Sequence, residues 1–182
     1  MSAAPDFERK IVAPADLAAA CARLPRPLVF TNGVFDLLHR GHVTYLARAR
    51  AEGASLVVAL NSDASVRRLG KGDDRPINVC ADRMAVIAAL QSADLVTCFE
   101  DDTPYALIAA AQPDVLVKGG DWAVDRIVGG DLVRARGGRV LSISFEHERS
   151  TTETLRRIRA AVGPAGRESV DESDAADQGI RR

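Results

Sequence analysis

A parallel α/β sheet with helices on both faces is the fold class this sequence predicts, and three observations predict it. Short apolar runs alternate with helical patterns along most of the chain, the order that joins parallel strands by crossover helices. The runs at Leu28–Phe30 and Ser55–Leu60 are continuously apolar, as in strands covered on both sides. The stretch TNGVFDLLHRGH, Thr31–His42, follows the first run, carries glycines and opens into a helical pattern. Such strand–turn–helix junctions are where α/β folds hold phosphate groups.

The elements follow in order. Pro14–Leu24 is Ala-rich and predicts a helix, with Pro14 favourable near its start. Leu28–Asn32 is the first strand. His42–Glu52 is a helix stopped by Gly53. Ser55–Leu60 is the second strand, Asp63–Leu69 a short helix, and GKGDDRP (Gly70–Pro76) a polar loop. Ala81–Leu90 is helical, with Asp82 and Arg83 in its first turn, and Asp94–Phe99 is the third strand. Thr103–Ala111 is a helix with Thr103 as its cap and Pro104 at its first position. Asp114–Val117 is the fourth strand and leads into the loop KGGDW, Lys118–Trp122. Asp125–Arg136 reads as a helix that Gly129 and Gly130 weaken, Arg139–Ile143 as the fifth strand, and Ser150–Ala160 as the last helix. At 182 residues the chain is most simply one domain. The expected partition is a helical extension over residues 1–27, packed on a domain over 28–162, and a disordered polar tail over 163–182.

Composition narrows the function. A net charge of -1, with aromatics at only 4%, argues against a nucleic-acid partner. The three cysteines, Cys21, Cys80 and Cys98, are scattered, with no C-x-x-C pair, so neither a disulfide framework nor a zinc ribbon is indicated. Cys80 stands near a helix start, where thiols become acidic, but it is expected to be inert. The N-terminus MSAAPDFERK has no secretory pattern, and no apolar run is long enough for a bilayer span. A cytoplasmic protein with no membrane partner is expected.

Ligands of parallel sheets bind beyond the C-terminal strand ends. The loops there are Gly33–Arg40, Asn61–Ser65, Lys118–Trp122 and Phe145–Thr151, and they carry most of the candidate chemistry. His39 and His42 lie three residues apart, so both imidazoles share one helix face near its positive end. Neither G-x-G-x-x-G nor a Walker A loop is present, since Gly70-Lys71 is followed by Gly72. Zinc binding by His39, His42 and His147 is a rival reading, but no Cys or Glu completes the ligand set.

The segment from Thr31 to His42 resembles the G-x-F-D-x-x-H-x-G-H signature of the cytidylyltransferase-like nucleotidyltransferases. The resemblance continues through NSDASVRRLGKGDDRP (Asn61–Pro76), DRM (Asp82–Met84), DTPYALI (Asp102–Ile108), LVKGGDW (Leu116–Trp122) and STT (Ser150–Thr152). Within that superfamily the chain is similar to the heptose 1-phosphate adenylyltransferases, in a stand-alone form without a kinase half. The resemblance implies a Rossmann-like five-stranded sheet of nucleotidyltransferase type. It implies transfer of AMP from ATP, with Mg²⁺, to D-glycero-β-D-manno-heptose 1-phosphate for lipopolysaccharide core synthesis, and a homo-oligomer.

By the same resemblance, His39 and His42 donate to the phosphates, and Lys71 and Arg83 neutralise the β- and γ-phosphates. Gly33 and Phe35 offer backbone N–H groups to the nucleotide, in a set with Thr31, Asn32, Val34, Gly41, Lys118, Gly119, Ser150, Thr151 and Thr152. Asn61, Asp63 and Asp121 lie toward the substrate, as does Asp36, which is expected chiefly to shape its turn. Two other readings stand beside this one. One is a cytidylyltransferase for glycerol 3-phosphate or another small phosphate ester. The other is a nucleotide-binding module without turnover.

Overall fold

The computed structural model describes residues 5–70, 75–146 and 151–162. Five strands form one parallel sheet: β1 (Leu28–Gly33), β2 (Ser55–Asn61), β3 (Leu95–Phe99), β4 (Val115–Gly119) and β5 (Arg139–Ile143). Their order across the sheet is β3-β2-β1-β4-β5. The chain winds outward from β1 to β2 and β3, then crosses to the other side of β1 for β4 and β5. The reversal falls between β1 and β4, which are hydrogen-bonded neighbours with Phe30 opposite Leu116. Such a switch point opens a crevice at the C-terminal strand ends.

Helices α1 (Leu17–Cys21), α2 (Arg40–Ala51), α3 (Asp63–Arg68), α4 (Cys80–Ala88), α5 (Tyr105–Ala111) and α6 (Gly130–Ala135) connect or flank the strands. Strand side chains alternate between faces, and the two cores follow from that. Leu28 and Phe30 of β1 join a cluster with Leu17 of α1, Ile108 of α5 and Val133 of α6. Val29 between them joins Leu46 of α2 and Ile87 of α4 on the opposite face. Burial on both faces is why these strands read as unbroken apolar runs.

Three expected elements change in the structure. Pro14–Leu24 is a 3-10 turn over Pro14–Asp16 followed by a single short helix, α1. Thr103 does not cap α5: Pro104 is the capping residue, and its carbonyl accepts from Ile108 N at 3.0 Å. Asp125–Arg136 is not one helix. A 3-10 turn over Val124–Arg126 ends in extended Ile127, and Gly129 takes φ +80 before α6 begins. A left-handed residue cannot continue a right-handed helix. A Cβ at Gly129 would stand 2.6 Å from Ile108 Cδ1, so close packing on α5 also requires glycine there.

The N-terminal segment lies beside β3. Ile11 bridges Val96, and Val12 N donates to the Val96 carbonyl at 2.9 Å. This covers the edge that β3 would otherwise expose. The last helix, α7 (Thr151–Val162), belongs to a separate compact unit, and Ile158 on it is exposed. Among the described residues no helix is long and apolar enough to cross a membrane.

Candidate active site

The chain leaves β1 through a tight turn that Gly33, Val34 and Phe35 build. Phe35 takes φ +49, an uncommon conformation for a side chain of this size. Its ring folds back over Gly33, where a Cβ would lie 2.9 Å from Phe35 Cε2. Glycine at 33 and strain at 35 are therefore two parts of one turn.

That turn delivers both histidines to the start of α2. His39 is the residue before the first helical position, in extended conformation, and its carbonyl accepts from His42 N at 2.9 Å. The two imidazoles stack with centroids 3.9 Å apart and planes 24° apart. Phe35 meets His42 edge-on at 5.4 Å, and Phe145 does so at 6.2 Å. Burial, and then the charge of His39, hold the His42 pKa down to about 4. His42 is thus a neutral imidazole at pH 7. Its Nδ1 is buried with no hydrogen-bond partner among the described residues. A neutral ring at a helix N-terminus carries one N–H that suits a phosphate oxygen. Gly41, between the two, is buried in the first turn of α2 and leaves no side chain in the way.

Across the switch point, β4 brings Lys118 and Gly119. Lys118 Nζ donates to Asn32 Oδ1 at 3.2 Å, so neighbouring strand ends present an amide and an ammonium together. Lys118 also lies 5.9 Å from the centre of the Trp122 ring. A Cβ at Gly119 would stand 2.8 Å from Phe145 Cζ and 3.1 Å from the Tyr45 ring. Asp121 is exposed and accepts from the Ser144 hydroxyl. Trp122 is exposed, with its indole N–H on the Gly119 carbonyl at 3.1 Å.

Several expected site residues are committed elsewhere. Arg83 is fully buried: Nε donates to the Asn78 carbonyl at 2.9 Å, Nη1 to the Val34 carbonyl at 2.7 Å and Nη2 to Asp63 at 2.7 Å. It braces the β1 turn from behind and does not stand free to meet a triphosphate. Asp63 is its partner and is correspondingly occupied. Asp36 is fully buried in its side chain and is not a substrate ligand. It receives Arg75 Nε at 2.6 Å, Ile77 N at 3.0 Å and Asn78 N at 2.9 Å. Burial alone would raise the Asp36 carboxyl, but the Asn78 and Ile77 amides and the Arg75 guanidinium outweigh it and lower the pKa. Thr31 is also buried, its hydroxyl 2.5 Å from that of Tyr45, so only its backbone remains for a ligand. Asn61 is buried and donates to Ser65 Oγ at 3.0 Å, which turns it inward rather than toward a substrate.

The structure thus gathers His39, His42, Gly33, Val34, Phe35 and Gly41 at the β1 exit, and Asn32 with Lys118 and Gly119 at the switch point. Lys71 and Ser150 lie outside the described residues, as does His147. Thr151 and Thr152 open α7. The residues that sequence reasoning missed are Tyr45, Arg75, Asn78 and Phe145. Tyr45 links β1 to β4 through Thr31 and, at 3.4 Å, the Val117 carbonyl. Its position on the buried face of α2, four residues after Gly41, is the signal that was available. A cavity of about 270 Å³ lies at the other end of the sheet, among Pro27, Asp114, Gly138 and Arg139, and has no part in this site. Among the described residues no group of three His, Cys, Asp or Glu is placed to hold a metal ion.

Comparison with known proteins adds a family and relatives. A family model described as Cytidylyltransferase-like matches residues 30–157. The chain is 59% identical over 155 residues to D-beta-D-heptose 1-phosphate adenylyltransferase of Bordetella bronchiseptica, covering 84% of this chain and 96% of that one. It is 54% identical over 132 residues to Bifunctional protein HldE of Ectopseudomonas mendocina, covering 72% of this chain and 28% of that protein. It therefore spans less than a third of the bifunctional relative. Among solved structures, a lipopolysaccharide core biosynthesis protein from Thermoplasma volcanium superimposes with a TM-score of 0.55 at 27% identity, covering 67% of this chain and 98% of that one.

Proposed function

This chain belongs to the cytidylyltransferase-like family, and from that premise we propose that it is an adenylyltransferase making ADP-heptose. In this reading it joins AMP from ATP to D-glycero-β-D-manno-heptose 1-phosphate and releases pyrophosphate, in the cytoplasm, for lipopolysaccharide core synthesis. The observation that carries the reaction class is the stacked pair His39 and His42, at a helix start beside the sheet's switch point. The acceptor is proposed from the relative that this chain covers over 96% of its length, whose name specifies a heptose 1-phosphate.

The chemistry needs little from the protein beyond placement and charge. A phosphate oxygen of the sugar phosphate attacks the α-phosphorus of ATP, and the bond to the β-phosphate oxygen breaks. The nucleophile is already an anion, so no general base is required. Catalysis then rests on holding the two anions in line and stabilising charge on the crowded phosphorus. His39 and His42 supply N–H donors from one side, and the α2 N-terminus adds its positive end. The backbone of Gly33–Phe35 and the Asn32–Lys118 pair complete the cradle. By the family resemblance, Lys71, Ser150, Thr151 and Thr152 are further candidate nucleotide-binding residues. A Mg²⁺ ion bound with ATP would neutralise part of the triphosphate's charge and would need few protein ligands. Two or more copies of the chain form the working enzyme.

The test is pyrophosphate release from the purified protein with Mg²⁺, each nucleoside triphosphate and each sugar phosphate. Release with ATP and heptose 1-phosphate is expected. Release with CTP and glycerol 3-phosphate instead rejects the substrate assignment. ATP binding without release across all acceptors rejects the enzyme.

A further inference from the structure

Cys80 and Cys98 are distant in sequence and adjacent in the fold. Cys80 is the first residue of α4, and its Sγ lies 3.7 Å from the Asn61 carbonyl at the end of β2. Cys98 stands on β3 opposite Leu60, one residue before the pairing of Asn61 with Phe99. Val96 shares a core cluster with Leu60 and with Ile87 of α4. Two residues further along the strand, Cys98 presents its thiol to that same face. Both thiols are half-buried, whereas Cys21 is buried elsewhere, at the end of α1.

We propose that Cys80 and Cys98 are a modification site, forming a reversible disulfide when the protein meets a peroxide, and that this bond lowers turnover. A hydrogen bond with Cys80 draws the Cys98 pKa down to about 7, while the same bond, followed by burial, pushes Cys80 up. Cys98, the sulfur whose pKa is drawn down, is the one that attacks, since the thiolate is the nucleophile. Its thiolate attacks one oxygen of hydrogen peroxide, the O–O bond breaks, and hydroxide leaves and takes up a proton as water. Cys98 is now a sulfenic acid. The Cys80 sulfur attacks the Cys98 sulfur, the S–S bond forms, the S–O bond breaks, and the departing hydroxide carries off the Cys80 proton as water. Two thiols lose two electrons, and the peroxide becomes two waters.

The effect reaches the site through α4. Sulfurs in a disulfide are about 2 Å apart, so closing the bond pulls Cys80 from the Asn61 carbonyl and shifts the first turn of α4. Arg83 rides on that turn and holds the Val34 carbonyl in the β1 turn.

The test uses the full chain treated with hydrogen peroxide, then alkylated and digested with trypsin without reduction. Cleavage at Arg83 separates the two cysteines, so a disulfide between them links two peptides. The expected result is that linked pair, one remaining alkylatable thiol at Cys21, and loss of the link on adding dithiothreitol. Cys98→Ser abolishes the link. Separate alkylation of Cys80 and Cys98 after peroxide, or links through Cys21 or between chains, overturns the proposal. This readout is independent of the enzyme assignment. Turnover, which rests on the proposed function, is expected to fall about 10–10²-fold in the linked protein, the scale of a small displacement near a reacting centre. It returns with dithiothreitol and is protected in Cys98→Ser. A linked protein with undiminished turnover overturns the regulatory effect.

Discussion

His39 and His42 share one stack, yet their energetic roles separate. In the proposed reaction they would be donors aimed at developing charge, and each would be worth far more in the transition state than in binding. His39→Ala and His42→Ala should each lower kcat by about 10²–10³-fold, the scale for one preorganised donor, with a much smaller change in KM. Steady-state kinetics on purified, folded variants checks this, and wild-type turnover in the double variant removes the assigned roles. His42 also couples folding to pH. Its pKa is about 4 in the folded chain against an ordinary 6.5, so between those values the unfolded chain binds a proton that the folded chain refuses. Stability should fall as pH drops through that window. Asp36, held below its ordinary 3.8, adds a second loss at still lower pH, because its carboxylate must be protonated there. Urea midpoints of wild type, His42→Asn and Asp36→Asn from pH 7.5 to 3 should assign the upper step to the first variant and the lower to the second.

At the scale of elements, the β1 turn is held from two sides. Arg83 from α4 takes the Val34 carbonyl, and the Asp36 carboxylate takes Arg75 and the backbone up to Asn78. The Arg75–Asp36 pair is almost fully buried, so removing one partner strands a charge. Asp36→Ala and Arg83→Met should each cost about 3–5 kcal/mol in chemical denaturation. A phosphate ligand would behave differently. If Arg83→Met keeps its stability and only the KM for ATP rises, the bracing role is wrong. On the far side of the sheet, Gly129→Ala places a Cβ 2.6 Å from Ile108 Cδ1 at φ +80, and should destabilise by about 1–3 kcal/mol with little change in KM.

The whole molecule is organised around its reversal of strand order. β1 and β4 carry the imidazole turn and the Lys118–Gly119 corner, and Tyr45 ties those strands together. A ligand bound there, as proposed, would engage both halves of the sheet. A ligand that binds only the folded state stabilises it by about 2.7 kcal/mol at one hundred times its Kd. A non-hydrolysable ATP analogue with Mg²⁺ should therefore raise Tm by several degrees, and the corresponding CTP analogue much less. An equal shift with both would show that the site does not select the base.

Strand order along the chain, the strand positions and the Thr31–His42 motif were determined by the sequence alone. These signals are local: an apolar run buried on both faces, a glycine where a ring folds back, two histidines one helical turn apart. The starts of the short helices α5 and α6 are not legible in the sequence, because Pro104 and Gly129 act through backbone angles that composition shows only weakly. Tertiary structure alone decided which polar residues are buried and committed to partners within the fold. Asp36 meets Arg75 across 39 positions, and Arg83 meets Val34 across 49. Nothing local announces such pairings, since each is selected by the cost of burying an unpartnered charge once distant segments pack. The same packing turned Thr31 and Asn61 inward and brought Cys80 to Cys98.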